Sequence, residues 1–152
     1  VYLGVDILRK QITWLGSIYN HLFGYVIRNE EAITLTGAAN AFIGIALTVW
    51  LFDVETAIPA ILIVSISDAM AAIIGRKFGR TRLFSKSLEG TAAFFFCTLV
   101  ILIFTAGLSI FPVVVLTILI AIIELLPIKR IDDNLIIPLS SAALISIMRN
   151  II

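Results

Sequence analysis

Apolar positions in this chain come in long unbroken runs separated by short polar interruptions. Thr34–Phe52, Thr56–Gly75, Gly90–Gly107 and Ile110–Leu126 are each about 17–20 residues long. Leu135–Met148 is shorter and can be extended by its flanks. At 1.5 Å per residue, a helix of ~20 apolar residues matches a hydrocarbon layer of ~30 Å, and lipid offers the backbone no hydrogen-bond partner outside a helix or closed barrel. The pattern therefore predicts an all-α, polytopic membrane helix bundle with about five transmembrane helices. Residues 11–27, "QITWLGSIYNHLFGYVI", mix apolar positions with Trp14, Tyr19, His21 and Tyr25. They read as an N-terminal helix lying in the interface, or as a partial span. "VYLGV" at 1–5 resembles the last turn of an earlier helix, so the chain is expected to be a single integral membrane domain over 1–152 that lacks an N-terminal segment.

Composition sharpens this reading. The chain is 61% hydrophobic and 14% charged, against roughly 45–50% and 25% for soluble domains. The lone Cys97 excludes a disulfide framework or a cysteine-built zinc cluster. By parity, Arg28–Glu31, residues 76–89 and residues 127–134 share one side of the membrane. Arg28, Arg76, Lys77, Arg80, Arg82, Lys86, Lys129 and Arg130 all fall there, eight of the eleven basic residues. Asp53–Glu55 and Gly107–Ser109 fall on the other side, and Arg149 ends the last helix. Such a bias predicts that the first side faces the cytoplasm. Pro59 and Pro112 lie early in their helices, and Pro138 is expected to kink the last one. "TGAANAFIG" at 36–44 spaces small residues for close helix packing.

Only Asp68 and Glu124 put charge inside the spans. A carboxylate at a helix centre costs roughly 2.5–3.5 kcal/mol, so such groups are expected to pair, to cap a neighbour or to line a functional cavity. Asp132, Asp133 and Asn134 open the last helix, where one of them is a natural N-cap. Several carboxylates on one face also suit Mg²⁺, which takes hard oxygen ligands and completes its shell with substrate phosphates. Beside them lie Arg76, Lys77, Arg80, Arg82 and Lys86, with Gly75, Gly79 and Gly90 between. Cations and glycines can hold phosphate, and they can equally set topology or meet anionic headgroups. Carboxylates and cations together point to a metal-chelated polyphosphate. The spacing is not that of a Walker A loop, because Arg80 and Ser85 stand where glycines would be needed.

"SDAMAAIIGRKFGRTRLFSKSLEGT" at 67–91 resembles a motif of the dolichol kinase, phytol kinase and CTP-dependent diacylglycerol kinase family, integral membrane lipid kinases, through Asp68, Ala71, Gly75, Arg76, Gly79, Lys86, Ser87, Gly90 and Thr91. A second motif, Glu124 followed by "DDNLIIP" at 132–138, is similar too. Ser67 stands where the family usually has glycine. The resemblance implies phosphoryl transfer from CTP, with Mg²⁺, to a long-chain alcohol such as a polyprenol, phytol or diacylglycerol. Gly75, Arg76, Gly79, Lys86, Ser87, Gly90 and Asn134 would bind the nucleotide; Asp68, Asp132 and Glu124 the metal. Asp132, Asp133 and Lys86 would be catalytic, with the base and metal roles of the two aspartates left open. The expected partners are CTP, the lipid alcohol and membrane lipids, with no nucleic acid; a homo-oligomer is compatible with this reading. The site would face the cytoplasm from the cell membrane. A CDP-lipid synthase, or a transporter or structural membrane protein, are the alternatives.

Overall fold

The structure is a computed structural model and describes residues 37–126 and 132–152. The expected interfacial helix at 11–27, Arg28, and the Pro127, Lys129 and Arg130 of the second basic loop lie outside the described residues. Among the described residues five helical rods are seen. They are α1 (Gly37–Leu51), a rod made of α2 (Val54–Leu62), a π turn (Ile63–Ser67) and α3 (Asp68–Phe78), then α4 (Leu88–Thr105), α5 (Ile110–Leu125) and α6 (Asp133–Ile151). Strands β1 (Arg82–Leu83) and β2 (Lys86–Ser87) form a small antiparallel hairpin between α3 and α4.

Among the described residues, three rods are long and apolar enough to cross a membrane: Val54–Phe78, Leu88–Thr105 and Asp133–Ile151. α1 and α5 are apolar but shorter. The expected all-helical architecture is present, with two adjustments. The second rod runs one turn past Gly75, so Arg76 and Lys77 are helical and the loop begins at Gly79. The last helix, read as the short one, is among the long ones.

Consecutive rods alternate in direction. α3 packs extensively on α4 and α1 on α6, with α4–α5, α2–α6 and α5–α6 completing the bundle. The core is a column of Ile63, Phe94, Leu102, Leu116, Ile120, Ile137 and Ile145, all essentially inaccessible. Most polar side chains inside it find partners, although the buried Ser141 Oγ has none among the described residues. Thr48 and Thr117 donate to the carbonyls of Gly44 and Val113, and Thr98 Oγ1 donates to Ser67 Oγ across α4 and the π turn at 3.0 Å. Such bonds replace the water a bilayer lacks. The π turn stands immediately before Asp68, and nothing in the apolar run announces it.

Two close approaches fix the end of the bundle that holds the polar residues. Gly44 of α1 lies on the opening of α6; a Cβ there would sit 2.9 Å from both Asn134 O and Pro138 Cγ. The small-residue reading of 36–44 thus holds at Gly44. Pro138 falls in the second turn of an α6 that continues to Ile151. On the other side, Gly75, Gly79 and Gly90 close around Ser87. A Cβ on Gly90 would lie 2.9 Å from Ala71 O and 3.2 Å from Gly75 Cα, while Cβ atoms on Gly75 and Gly79 would meet Ser87 Oγ at 2.8 and 2.7 Å. At the opposite end, Gly107 turns the chain from α4 to α5 with φ 65°, and its missing side chain touches nothing.

Two glycines can therefore be separated by mechanism. Gly90→Ala drives a methyl into backbone and should cost roughly 1–3 kcal/mol through helix displacement. Gly107→Ala has space and pays only for the left-handed conformation, about 1–2 kcal/mol. Thermal unfolding in detergent measures both. Nearby Ala71→Gly should partly rescue neither, since Gly90 meets the Ala71 carbonyl and not its methyl.

Candidate functional site

The polar end of the bundle is built on two N-caps. Ser87 caps α4, its hydroxyl accepting from Gly90 N at 3.2 Å. Asp132 caps α6, its Oδ1 accepting from Asn134 N at 2.9 Å and Asn134 Nδ2 at 2.8 Å. Of the three oxygen-rich residues 132–134, Asp132 is the one that takes the capping role. Asp133, one residue on, is then directed to a different partner.

That partner is Lys86. Its Nζ lies 2.9 Å from Glu124 Oε1 and 2.8 Å from Asp133 Oδ2, and it also donates to the main-chain oxygen of Glu124. One ammonium thus joins the hairpin, the end of α5 and the start of α6. Glu124 is only 3% exposed, while Asp133 is 40% and Lys86 21% exposed. Thr91 Oγ1 faces the second Glu124 oxygen at 3.4 Å. A carboxylate buried this deeply requires such partners. Burial by itself would lower the Lys86 pKa, but hydrogen bonds and charge from Asp133 and Glu124 outweigh it and hold the value above that of an ordinary lysine.

The hairpin is fastened at its base as well. Leu88 N donates to Thr81 O at 2.9 Å, and Thr81 N faces the two Glu89 carboxylate oxygens at 3.3 and 3.4 Å. Arg76 Nε turns back to Ala72 O at 3.0 Å.

The candidate residues therefore fall into three groups. Lys86, Glu124 and Asp133 are in direct contact, with Asp132 and Asn134 adjoining. Gly75, Gly79, Ser87 and Gly90 form the packing knot beneath the hairpin, and Arg76 is exposed beside it. Asp68 lies deeper. It precedes Ala71, which abuts Gly90, and follows Ser67, which bonds Thr98, so it sits one to two turns below Thr91, roughly 5–10 Å. Among the described residues no three His, Cys, Asp or Glu side chains are grouped to hold a metal ion. The donors present are carboxylate oxygens, which fit a metal of the Mg²⁺ kind only where phosphate oxygens complete its shell.

Sequence reasoning assigned Glu124 to a metal and Lys86 to phosphate without foreseeing that they pair. The signal was present: the two intramembrane carboxylates lie toward the end that carries the basic residues. Thr91 and Glu89 were overlooked as partners, because a threonine and a surface glutamate at a helix start carry no distinguishing pattern. At the far end, Arg149 pairs with Glu55, in keeping with the expected placement of both away from the basic loops.

The fold and this cluster define a helical membrane protein with a lysine–carboxylate site at one end of its bundle. The chain is 30% identical over 149 residues to the uncharacterized protein RP860 of Rickettsia prowazekii, a match covering 92% of this chain and 73% of that protein, and it belongs to the same family. It is also similar, more distantly, to the CTP-dependent diacylglycerol kinase 1 of Schizosaccharomyces pombe, at 27% identity over 158 residues, 92% of this chain and 72% of the kinase. No protein-family model matches the chain. No solved structure matches it.

Lys86→Met strands a buried Glu124 and should cost about 3 kcal/mol, at the low end for breaking a buried ion pair. Adding Glu124→Gln should recover part of that loss. Because the Lys86 pKa is raised, its contribution is complete below the ordinary lysine value and is lost only as pH climbs through the raised folded value. The stability gap between wild type and Lys86→Met should therefore stay constant from neutral pH into the mildly alkaline range. A gap that closes near neutrality contradicts the pairing.

Proposed function

We propose that this protein is a CTP-dependent lipid kinase, transferring a phosphoryl group to the hydroxyl of a long-chain lipid alcohol at a membrane face. The observation that carries this reading is the Lys86–Glu124–Asp133 cluster, set between two helix N-termini at one end of an apolar bundle. The distant similarity to a CTP-dependent diacylglycerol kinase supports it. We read the five rods as five crossings and the basic end as cytoplasmic, with the site facing the cytoplasm from the cell membrane.

Phosphoryl transfer asks for positioning and charge neutralisation more than for covalent help from the protein. Lys86 supplies a cation whose orientation is fixed by two carboxylates, and it stays charged throughout the neutral range. The N-termini of α4 and α6 favour anions. Arg76 and Asn134 flank the site and would bind the nucleotide with Lys86; Gly75, Gly79, Ser87 and Gly90 hold the hairpin at the distance this needs. Mg²⁺ would be held by one or two of Asp68, Asp132 and Glu124, with phosphate oxygens completing its shell, and would neutralise charge on the triphosphate. One of Asp132 and Asp133 would orient or deprotonate the alcohol. The lipid tail stays among the helices while its hydroxyl meets the phosphate at their ends.

Incubating the protein with labelled CTP and a panel of lipid alcohols tests the reaction. Release of CDP with formation of a phosphorylated lipid is expected; release of pyrophosphate would instead mark a cytidylyltransferase. Within the kinase reading, Lys86→Ala should reduce kcat/KM for CTP by about 100-fold or more, near 2.7 kcal/mol of transition-state stabilisation. Arg149→Ala, at the other end of the bundle, should leave it within a few fold. A normally inserted Lys86→Ala protein with near wild-type turnover sinks the assignment.

A further inference from the structure

The tip of the hairpin is not explained by the site at its base. Leu83 pairs with Lys86, so Phe84 and Ser85 form a two-residue turn. Phe84 has φ 55°, the only positive φ among the described non-glycine residues. A turn with positive φ at its first central position favours glycine there, and a bulky side chain in that conformation is an outlier. The phenylalanine is also 70% exposed, and Phe78 at the end of α3 is 56% exposed. Apart from Leu126 and Ile152, just past helix ends, the other exposed large apolar residues lie along the rods, where lipid tails would cover them. Phe84 lies outside any rod. Lys77, Arg80 and Arg82, close to it in sequence, are all exposed; the Lys77 ammonium stands over the Phe78 ring at 5.3 Å, and Arg80 lies near the Glu89 carboxylate.

An exposed aromatic held in a disfavoured conformation is unfavourable in water, whereas the exposed cations near it in sequence are merely solvated there. At a bilayer surface both features become useful. Aromatic rings partition into the headgroup region, and juxtamembrane cations are drawn to anionic lipids. The base of the hairpin is meanwhile locked by the Thr81–Glu89 and Lys86 contacts, so the tip is presented as a fixed projection.

We propose that the 82–87 hairpin is an interfacial finger, with Phe84 and Phe78 inserted among headgroups and Lys77, Arg80 and Arg82 binding the phosphates of anionic phospholipids. The inference is independent of the kinase reading, since none of these five residues belongs to the Lys86 cluster.

The test uses the full chain carrying Phe84→Trp, with Trp14 and Trp50 changed to Phe, in nanodiscs of phosphatidylcholine alone or with one third phosphatidylglycerol. Blue-shifted emission is expected, losing more than half its intensity when the acyl chains are brominated near the headgroup. Quenching should be stronger with phosphatidylglycerol, and Arg80→Gln with Arg82→Gln should remove that increment. Water-like emission without quenching overturns the proposal. So does quenching equal in the two lipid mixtures, and so does a tryptophan that responds to CTP but not to lipid. Phe84→Gly guards against a folding artefact. It should unfold in detergent at no lower temperature than wild type, and the rise in unfolding temperature that phosphatidylglycerol-containing nanodiscs give the wild type should shrink. A markedly less stable Phe84→Gly protein would show that the ring serves internal packing, and would equally overturn the finger.

Discussion

A buried carboxylate at the end of a membrane helix must have a partner, and the polar end of this protein is arranged around that requirement. Glu124 is almost inaccessible, and Lys86 reaches it from a hairpin 38 residues earlier in the chain. Because the same ammonium also holds Asp133, the ends of α5 and α6 are tied to the entrance of α4. Neither α5 nor the hairpin could reposition alone without stranding Glu124 at low dielectric, where one uncompensated partner costs several kcal/mol, while the more exposed Asp133 ties α6 less tightly. The glycine knot serves the same geometry. Gly75, Gly79 and Gly90 let α3, the hairpin and α4 approach until Lys86 can span the gap to α5. Gly44 does the corresponding work for α1 and α6.

This view changes the meaning of the glycines in the 67–91 stretch. Spacing alone left them equally able to cradle phosphate or to pack helices. The contacts at Ser87 give them a packing role, through which they set where Lys86 and the N-terminus of α4 stand. The functional proposal thus rests on Lys86, Asp132, Asp133 and Glu124, with the glycines as its scaffold.

Much of the fold was legible in the sequence because bilayer physics leaves few options. Apolar runs near twenty residues imply helices, Gly107 marks a turn and the 132–134 run a cap by ordinary local rules, whereas the Ser87 cap was not read from the sequence. Helix ends were less legible. Arg76 and Lys77 read as loop because they are charged, yet they complete the last turn of α3, where cations suit the helix dipole. The π turn at 63–67 was invisible, since Ile, Val and Ser there fit an α-helix equally well; it shows only in the backbone, where Asp68 N donates to Ile63 O. In the site, residue types were readable and partnerships were not. Glu124 and Lys86 were both singled out, but which charge meets which depends on helix rotation, and an almost uniformly apolar helix such as α5 carries little signal of rotation.

The central functional claim is that Lys86 addresses the phosphates of a bound nucleotide. Acyl-phosphate derivatives of CTP acylate a lysine lying beside the phosphate chain, so labelling followed by peptide mass spectrometry reads the claim directly. The account predicts acylation at Lys86, suppressed by excess CTP and absent at the exposed Lys77. Labelling of Lys77 with Lys86 untouched, or labelling of Lys86 that excess CTP fails to suppress, would contradict it.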